Sequence, residues 1–349
     1  MKTLIVGAGA LGGLIAARLM STGIAVALAT RDSESAQEIK RSGLKVTGLG
    51  GDITTEACEV SALDEYPLSR KFDLIVLATK AQAAIDVAPI LLKLLAPGGM
   101  LLPIQNGGVP QMLASQLGEE FVLGGLSNLG ATMVKPGVYE QRNAGHLLIG
   151  ELRGGESNRT TRVQQWLGQS VTVKTTANLR GAVWSKLLLN CSVTTLGAIA
   201  GRTMREYIGV PEGRALFDRT YDETLAIALA SGNRPERMLV EPIPPERGEG
   251  DKGNYAYEAW LEELLKAYGD LKASMLQDFE RGRITEIDFI NGYVVTIGHQ
   301  LKIATPVNEA IVDMVRAITL RERTPDLSLL RRLHQSSVED ELISCQTHH

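Results

Sequence analysis

The chain opens on Met1-Lys2-Thr3-Leu4-Ile5-Val6 and passes directly into Gly7-Ala8-Gly9-Ala10-Leu11-Gly12-Gly13, with an apolar helical run from Leu14 to Met20 behind it. Few folds accept a buried strand that ends in G-x-G-x-x-G and restarts as a helix. That context turns a weak glycine pattern into a dinucleotide-binding signal. Gly7 permits the tight turn, Gly9 lets the backbone approach a pyrophosphate, and Gly12 lets helix and strand pack closely. The N–H groups at the helix start then hold the phosphate. A glycine-rich turn that binds nothing is the plain alternative, and the flanking strand and helix argue against it.

The end of the second strand bears on which dinucleotide. Ala25 to Thr30 reads as that strand, and Arg31-Asp32 follows. An acid here suits the ribose 2′-hydroxyl of NAD, while an arginine suits the 2′-phosphate of NADP. A guanidinium matches a phosphate dianion, which a neighbouring carboxylate only repels. NADP(H) is therefore expected.

At 349 residues the chain suits two domains rather than one core. A net charge of −4, with no basic stripe, argues against a nucleic-acid partner. Cys58, Cys191 and Cys345 are widely spaced, and the five histidines show no ligand pattern, so neither a disulfide framework nor a metal site is expected. The charge-free run Thr3 to Ala17 is better explained by its glycines than as a signal peptide. The absence of a disulfide pattern fits a reducing cytoplasm, and no apolar stretch is read as reaching the ~20 residues of a membrane helix, so a soluble chain is expected.

Strands and helices alternate from residue 1 to about 175, which predicts an α/β fold: an N-terminal Rossmann-type doubly wound sheet with helices on both faces. Phe72 to Thr79 is a continuous apolar strand, as expected for a strand buried on both sides. Ala81 to Leu95 reads as a helix stopped by Pro97-Gly98-Gly99, and Met100 to Ile104 as the next strand. Phe121 to Gly125, Val138 to Glu140 and Leu147 to Ile149 are shorter strands. From 178 onward only helices are expected: Ala182 to Ala200, Glu212 to Ser231, Tyr255 to Glu280, Glu286 to His299 and Val307 to Ile318. This divides the chain into a cofactor domain, 1–177, and an all-α domain, 178–349. Within the latter, 233–254 is expected to be a flexible Pro-rich loop, and 321–349 a charged tail ending in His348-His349. Gly7, Arg31, Lys80 and Asn106 all stand at strand ends, where an open α/β sheet binds its ligand. The helical domain is expected to close over that crevice.

Lys186 lies in the apolar run Val183-Trp184-Ser185-Lys186-Leu187-Leu188-Leu189-Asn190-Cys191, with Asn190 four residues on and on the same face. Such a pair suits a reductase: an ammonium protonates a carbonyl oxygen as hydride arrives, and an amide holds it. A snorkelling core lysine is an equally common reading of the spacing alone. Ser274 and Asp278 share a helical face, Thr285 and Asp288 resemble a capping box, and Glu286 favours the helix dipole.

The chain resembles the ketopantoate reductase (2-dehydropantoate 2-reductase) family along nearly its whole length. The resemblance rests on GAGALGG, Lys80-Ala81, Asn106-Gly107, Trp184-x-Lys186-x-x-x-Asn190-Cys191, Ser274-Met275-Leu276-Gln277-Asp278, Thr285-Glu286-Ile287-Asp288-x-Ile290-Asn291-Gly292, and Ala304 to Asn308. It implies NADPH at Gly7, Ala8, Gly9, Ala10, Leu11 and Gly12, with Arg31, Lys80, Asn106, Ala131 and Glu286. It implies Lys186 as proton donor, with Glu286 beside the nicotinamide ribose or keeping Lys186 charged. Asn106, Asn190 and Ser274 fall on substrate positions. Two departures touch the substrate grip: Thr194 replaces the family's second pocket asparagine, and Met204-Arg205 replaces an Asn-Gly pair.

The expected function is NADPH-dependent reduction of a small 2-oxo acid, with ketopantoate, and so pantothenate biosynthesis, first in line. The rivals are a different 2-oxo acid, an imine, or a non-catalytic NADP(H)-binding sensor. Arg205 is a candidate to hold the substrate carboxylate, with Met204 as an apolar wall. Helical domains of this kind can be monomeric or paired, so a homodimer stays open.

Overall fold

The computed structural model describes residues 1–335 except 58 and 248–250, with the side chains of 251–253 also outside the described residues. Cys58, Cys345 and the end of the charged tail therefore lie outside them. The chain separates into two compact units, Met1–Leu179 and Arg180–His349, parting two residues beyond the expected boundary of 177.

The first unit holds every named strand. In chain order they are β1 (Thr3–Val6), β2 (Ala27–Thr30), β3 (Leu44–Gly48), β4 (Ile53–Thr55), β5 (Val60–Ala62), β6 (Phe72–Leu77), β7 (Leu95–Pro103), β8 (Gly124–Ser127), β9 (Ala131–Lys135), β10 (Val138–Gln141), β11 (Leu147–Gly150) and β12 (Val173–Thr175). Its helices are α1 (Ala10–Ser21), α2 (Ser33–Ser42), α3 (Ala81–Leu94), α4 (Val109–Leu117) and α5 (Asn158–Leu167). Strands β5-β2-β1-β6-β7 form an all-parallel sheet. The chain order reverses between β1 and β6, which makes their carboxyl ends the switch point of the sheet. Leu4, Ile5, Leu74, Ile75, Val76 and Leu77 are wholly buried, the signature of central parallel strands.

The remaining strands do not extend that sheet, contrary to the single sheet expected. They build a mixed sheet β4-β3-β10-β9 and a three-stranded sheet β12-β11-β8. The Pro97-Gly98-Gly99 segment is a bulge inside β7, where the pairing jumps from Phe72–Leu95 to Leu74–Met100.

The second unit is helical: α6 (Leu179–Leu189), α7 (Thr195–Ala200), α8 (Met204–Tyr207), α9 (Pro211–Ala230), α10 (Asp251–Tyr268), α11 (Ser274–Glu280), α12 (Asn291–Leu301) and α13 (Pro306–Thr319). The helix expected over Tyr255 to Glu280 is broken after Tyr268. There the backbone N–H of Arg205 donates to Gly269 O (3.0 Å), docking α8 on the end of α10. The Pro-rich segment, expected to be flexible, is anchored at several of its described residues, while 248–250 lie outside them. Ser185 Oγ accepts from Glu236 N (2.7 Å), Tyr221 donates to Pro242 O (2.7 Å), and Trp260 donates to Glu241 O (2.7 Å). Its last residues, 251–254, belong to α10. The run Leu179–Ala200 does have the length and composition to cross a membrane, contrary to expectation. With 78% of its most apolar window buried, it is the core helix of a folded unit.

Candidate functional site

Gly7 takes φ +104°, and a Cβ there would meet Ala78 and Thr79 at 2.9 Å. Its N–H donates to Ala29 O (2.9 Å), tying the turn to β2. A Cβ on Gly12 would stand 1.9 Å from Gly7 O, so only glycine lets the first turn of α1 pack on the loop. Gly9 differs: a Cβ there meets nothing within 4 Å. Gly9 is the N-cap of α1, without a side-chain cap and without an acid in the first turn. Open space before uncapped N–H groups fits a pyrophosphate. Ala8, Ala10 and Leu11 line this cradle, partly accessible.

Arg31, Lys80 and Asn106 follow β2, β6 and β7, so with Gly7 they lie along the carboxyl edge of one sheet. Lys80 is exposed at the start of α3, and Asn106 is half-buried. The Arg31 side chain is 95% exposed and meets Asp32 at 3.2 Å. Asp32 accepts from Ser35 N (2.8 Å) as the N-cap of α2, and hydrogen bonding from the Ser35 side chain, then from its backbone, holds the Asp32 carboxyl below the usual range. The acid that kept an NAD reading open is thus a helix cap. Ala131 opens β9, half-buried and paired with Gln141.

Sequence reasoning passed over Gln105. Its amide donates to Leu77 O (3.0 Å) and Thr79 O (3.1 Å), stitching the ends of β6 and β7 just before Lys80 and Asn106. Its Oε1 is buried with no hydrogen-bond partner. The available signal was a glutamine placed between an apolar strand and an Asn-Gly turn.

In the second unit, every residue from Gly181 to Ala200 is buried except Lys186, Leu189, Asn190 and Thr194. This places the predicted trio on one stripe of a core helix. Between α6 and α7 the chain makes a π-helical turn, Asn190–Thr194. The β-branched and hydroxyl-rich Ser192-Val193-Thr194-Thr195 is poor α-helix material. Carbonyls around the turn find hydroxyl donors: Tyr207 to Ser192 O (2.7 Å), Ser192 to Leu188 O (2.6 Å), and Thr194 to Asn190 O (3.1 Å). Such turns recur at functional sites.

Burial lowers the Lys186 ammonium from its usual value to about 8, and the Glu286 carboxylate opposes that shift. Glu286 is half-buried, ahead of a 3₁₀ turn (Ile287–Phe289) rather than inside the predicted helix. Ile290 at φ −107°, ψ −97° delays α12 to Asn291. The capping box expected from Thr285 and Asp288 is not seen; the Asp288 carboxylate accepts from Arg316 (2.7 Å) instead. Ser274 is exposed at the start of α11.

Arg205, half-exposed, is engaged within the helical unit. Its guanidinium grips Asp270 through Nε (2.9 Å) and Nη2 (3.1 Å) and also donates to Leu265 O (3.0 Å). Met204 is buried in the core. Cys191 is buried too, and desolvation pushes its thiol far above the usual range, so it is no nucleophile.

Two family models match, ketopantoate reductase PanE/ApbA over residues 3–154 and its C-terminal part over residues 178–319. The 2-dehydropantoate 2-reductase of Pyrococcus horikoshii is 30% identical over 318 residues, 91% of this chain and 97% of its own. Among solved structures, a PanE/ApbA family ketopantoate reductase from Ralstonia eutropha superposes with TM-score 0.76 at 26% identity, covering 92% of this chain and 99% of its own. A D-mandelate dehydrogenase, solved with NADH and anilino(oxo)acetate, shares the fold at TM-score 0.77 and 21% identity, over 91% and 98% of the two chains. With both halves matched, the chain belongs to the ketopantoate reductase PanE/ApbA family of NAD(P)-dependent oxidoreductases.

Proposed function

We propose that this protein reduces the keto group of a small 2-oxo acid with NADPH, ketopantoate being the first candidate. The observation that carries this reading is Lys186, an ammonium held near pKa 8 on the one accessible stripe of a buried helix. An ammonium desolvated in an apolar helix is costly without a task. Bound NADPH supplies the hydride to the keto carbon. Lys186 Nζ donates its proton to the keto oxygen, where a positioned cation also offsets the developing charge. At neutral pH a group of pKa about 8 is mostly protonated yet a stronger acid than an ordinary lysine. Glu286 raises that pKa and so keeps the donor loaded. Asn190 and Ser274 would bind the substrate, and Asn106 would orient substrate and cofactor.

Gly7 to Gly12, Lys80, Asn106, Ala131 and Glu286 are the proposed cofactor contacts, with Arg31 reading the 2′-phosphate. A charge-assisted contact of that kind contributes roughly 1.5–3 kcal/mol. Arg31→Ala should therefore weaken NADPH about 10- to 150-fold while changing NADH little, measured by titration. Tighter binding of NADH than NADPH by the unaltered protein would overturn the assignment.

Thr194 favours a second substrate reading. Its hydroxyl is spent on Asn190 O (3.1 Å), leaving no amide at that position. A 2-oxo acid with a less polar side chain than ketopantoate's then fits better. NADPH oxidation measured with ketopantoate, pyruvate and bulkier 2-oxo acids tests both readings. The highest kcat/KM names the substrate, and no oxidation with any of them sinks the reductase proposal.

A further inference from the structure

The fourth glycine of the N-terminal run, Gly13, is not explained by the cofactor. A Cβ there would meet the ring of Tyr139 at 1.9 to 2.3 Å. Tyr139 lies on β10, in the small mixed sheet, and is wholly buried. Its hydroxyl donates to Ala8 O (3.0 Å), the carbonyl between the first two glycines of the motif. The same sheet and the turn after β3 grip α1 a second time, through Arg18 Nε on Gln141 Oε1 (2.9 Å) and Arg18 Nη2 on Leu49 O (3.0 Å).

In a trans peptide the C=O and the following N–H point in opposite directions. A hydroxyl that captures Ala8 O therefore turns the N–H of Gly9 the other way. We propose that Tyr139 is a positioning residue for dinucleotide binding: by holding Ala8 O it fixes the Ala8–Gly9 peptide so that Gly9 N–H donates to the cofactor pyrophosphate. This rests on the reading of Gly7 to Gly12 as the dinucleotide cradle. The space beside Gly9 is open, as that role needs. A carbonyl that accepts a hydrogen bond also makes its partner N–H a stronger donor. Burial raises the Tyr139 hydroxyl to about 12, so it remains a donor throughout the working pH range. Gly13 is then the complement of Tyr139, the gap on α1 through which the ring reaches the loop.

Tyr139→Phe keeps the ring that fills the space beside Gly13 and removes only the donor. Binding of NADPH, NADH and adenosine 2′-monophosphate to the full chain is measured by calorimetry for both proteins. Both dinucleotides carry the pyrophosphate, and the monophosphate carries none. The expected result is about 5- to 10-fold weaker binding of both dinucleotides, with the monophosphate unchanged. Equal weakening of all three ligands would mean that Tyr139 merely supports the unit, and no weakening would mean that the bond is idle. Either outcome overturns the proposal. An unaltered protein that binds neither dinucleotide fails the cradle reading itself, whereas tight binding indifferent to Tyr139→Phe fails this inference alone.

Discussion

Lys186→Ala is expected to lower kcat by about 10²–10⁴-fold, the range of a lost general acid, with dinucleotide binding retained. Steady-state kinetics paired with a binding titration reads both effects. A variant that turns over near the original rate would make Lys186 a snorkelling core lysine. The pH profile gives a second check. The acid must be protonated, so kcat/KM falls as pH rises through the Lys186 pKa, about 8. The Glu286 carboxylate raises that pKa, so Glu286→Gln should move the falling limb to lower pH. A limb that stays in place, or moves up, would place Glu286 elsewhere in the cycle.

Glu223→Ala destabilises the helical unit strongly. Glu223, on α9, accepts from Val307 N (3.1 Å), Asn308 N (2.8 Å) and Asn308 Nδ2 (2.8 Å). It caps α13 from another helix, since Thr305 at the N-cap position makes no side-chain cap of its own. Burial raises its carboxyl pKa, and these donors oppose the shift. Leaving three donors without an acceptor costs about 3–6 kcal/mol. In a unit of this size that corresponds to a Tm drop of roughly 6–24 °C. The chain of contacts continues through Asn291 Nδ2 on Asn308 Oδ1 (2.8 Å), just beyond the turn that follows Glu286. Activity should therefore fall in the surviving folded protein as well. Thermal unfolding within 2 °C of the original would show that water replaces the carboxylate.

The cofactor half was legible because its signals are local. Strand, glycine turn and helix occur within twenty residues, and Gly12 packs against Gly7 O within the same turn, while the space beside Gly9 is open. Continuous apolar runs marked β1 and β6 as central parallel strands. Lys186, Asn190 and Thr194 could be set on one face from helical spacing, and burial leaves only Leu189 with them. Whether that face meant chemistry was not legible. A buried-helix lysine reads the same way until Glu286, one hundred residues on, is brought close enough to affect it.

Pairings over long sequence separations were decided by the tertiary structure alone. β3 joins β10 in parallel across some ninety residues, and no local period of apolar residues announces such a partner. That pairing creates the second sheet, and with it the contact of Tyr139 with Gly13. The pairing of Arg205 with Asp270, sixty-five residues on, is likewise set by the fold and gives that candidate carboxylate ligand a partner within the protein. The carboxylate that caps α13 comes from α9, not from the residues before the helix. Local sequence carries backbone preference and burial period, which were enough for the elements and the motif. Which polar group satisfies which is settled only when the chain closes, because a buried donor takes whatever acceptor the packing brings within 3 Å.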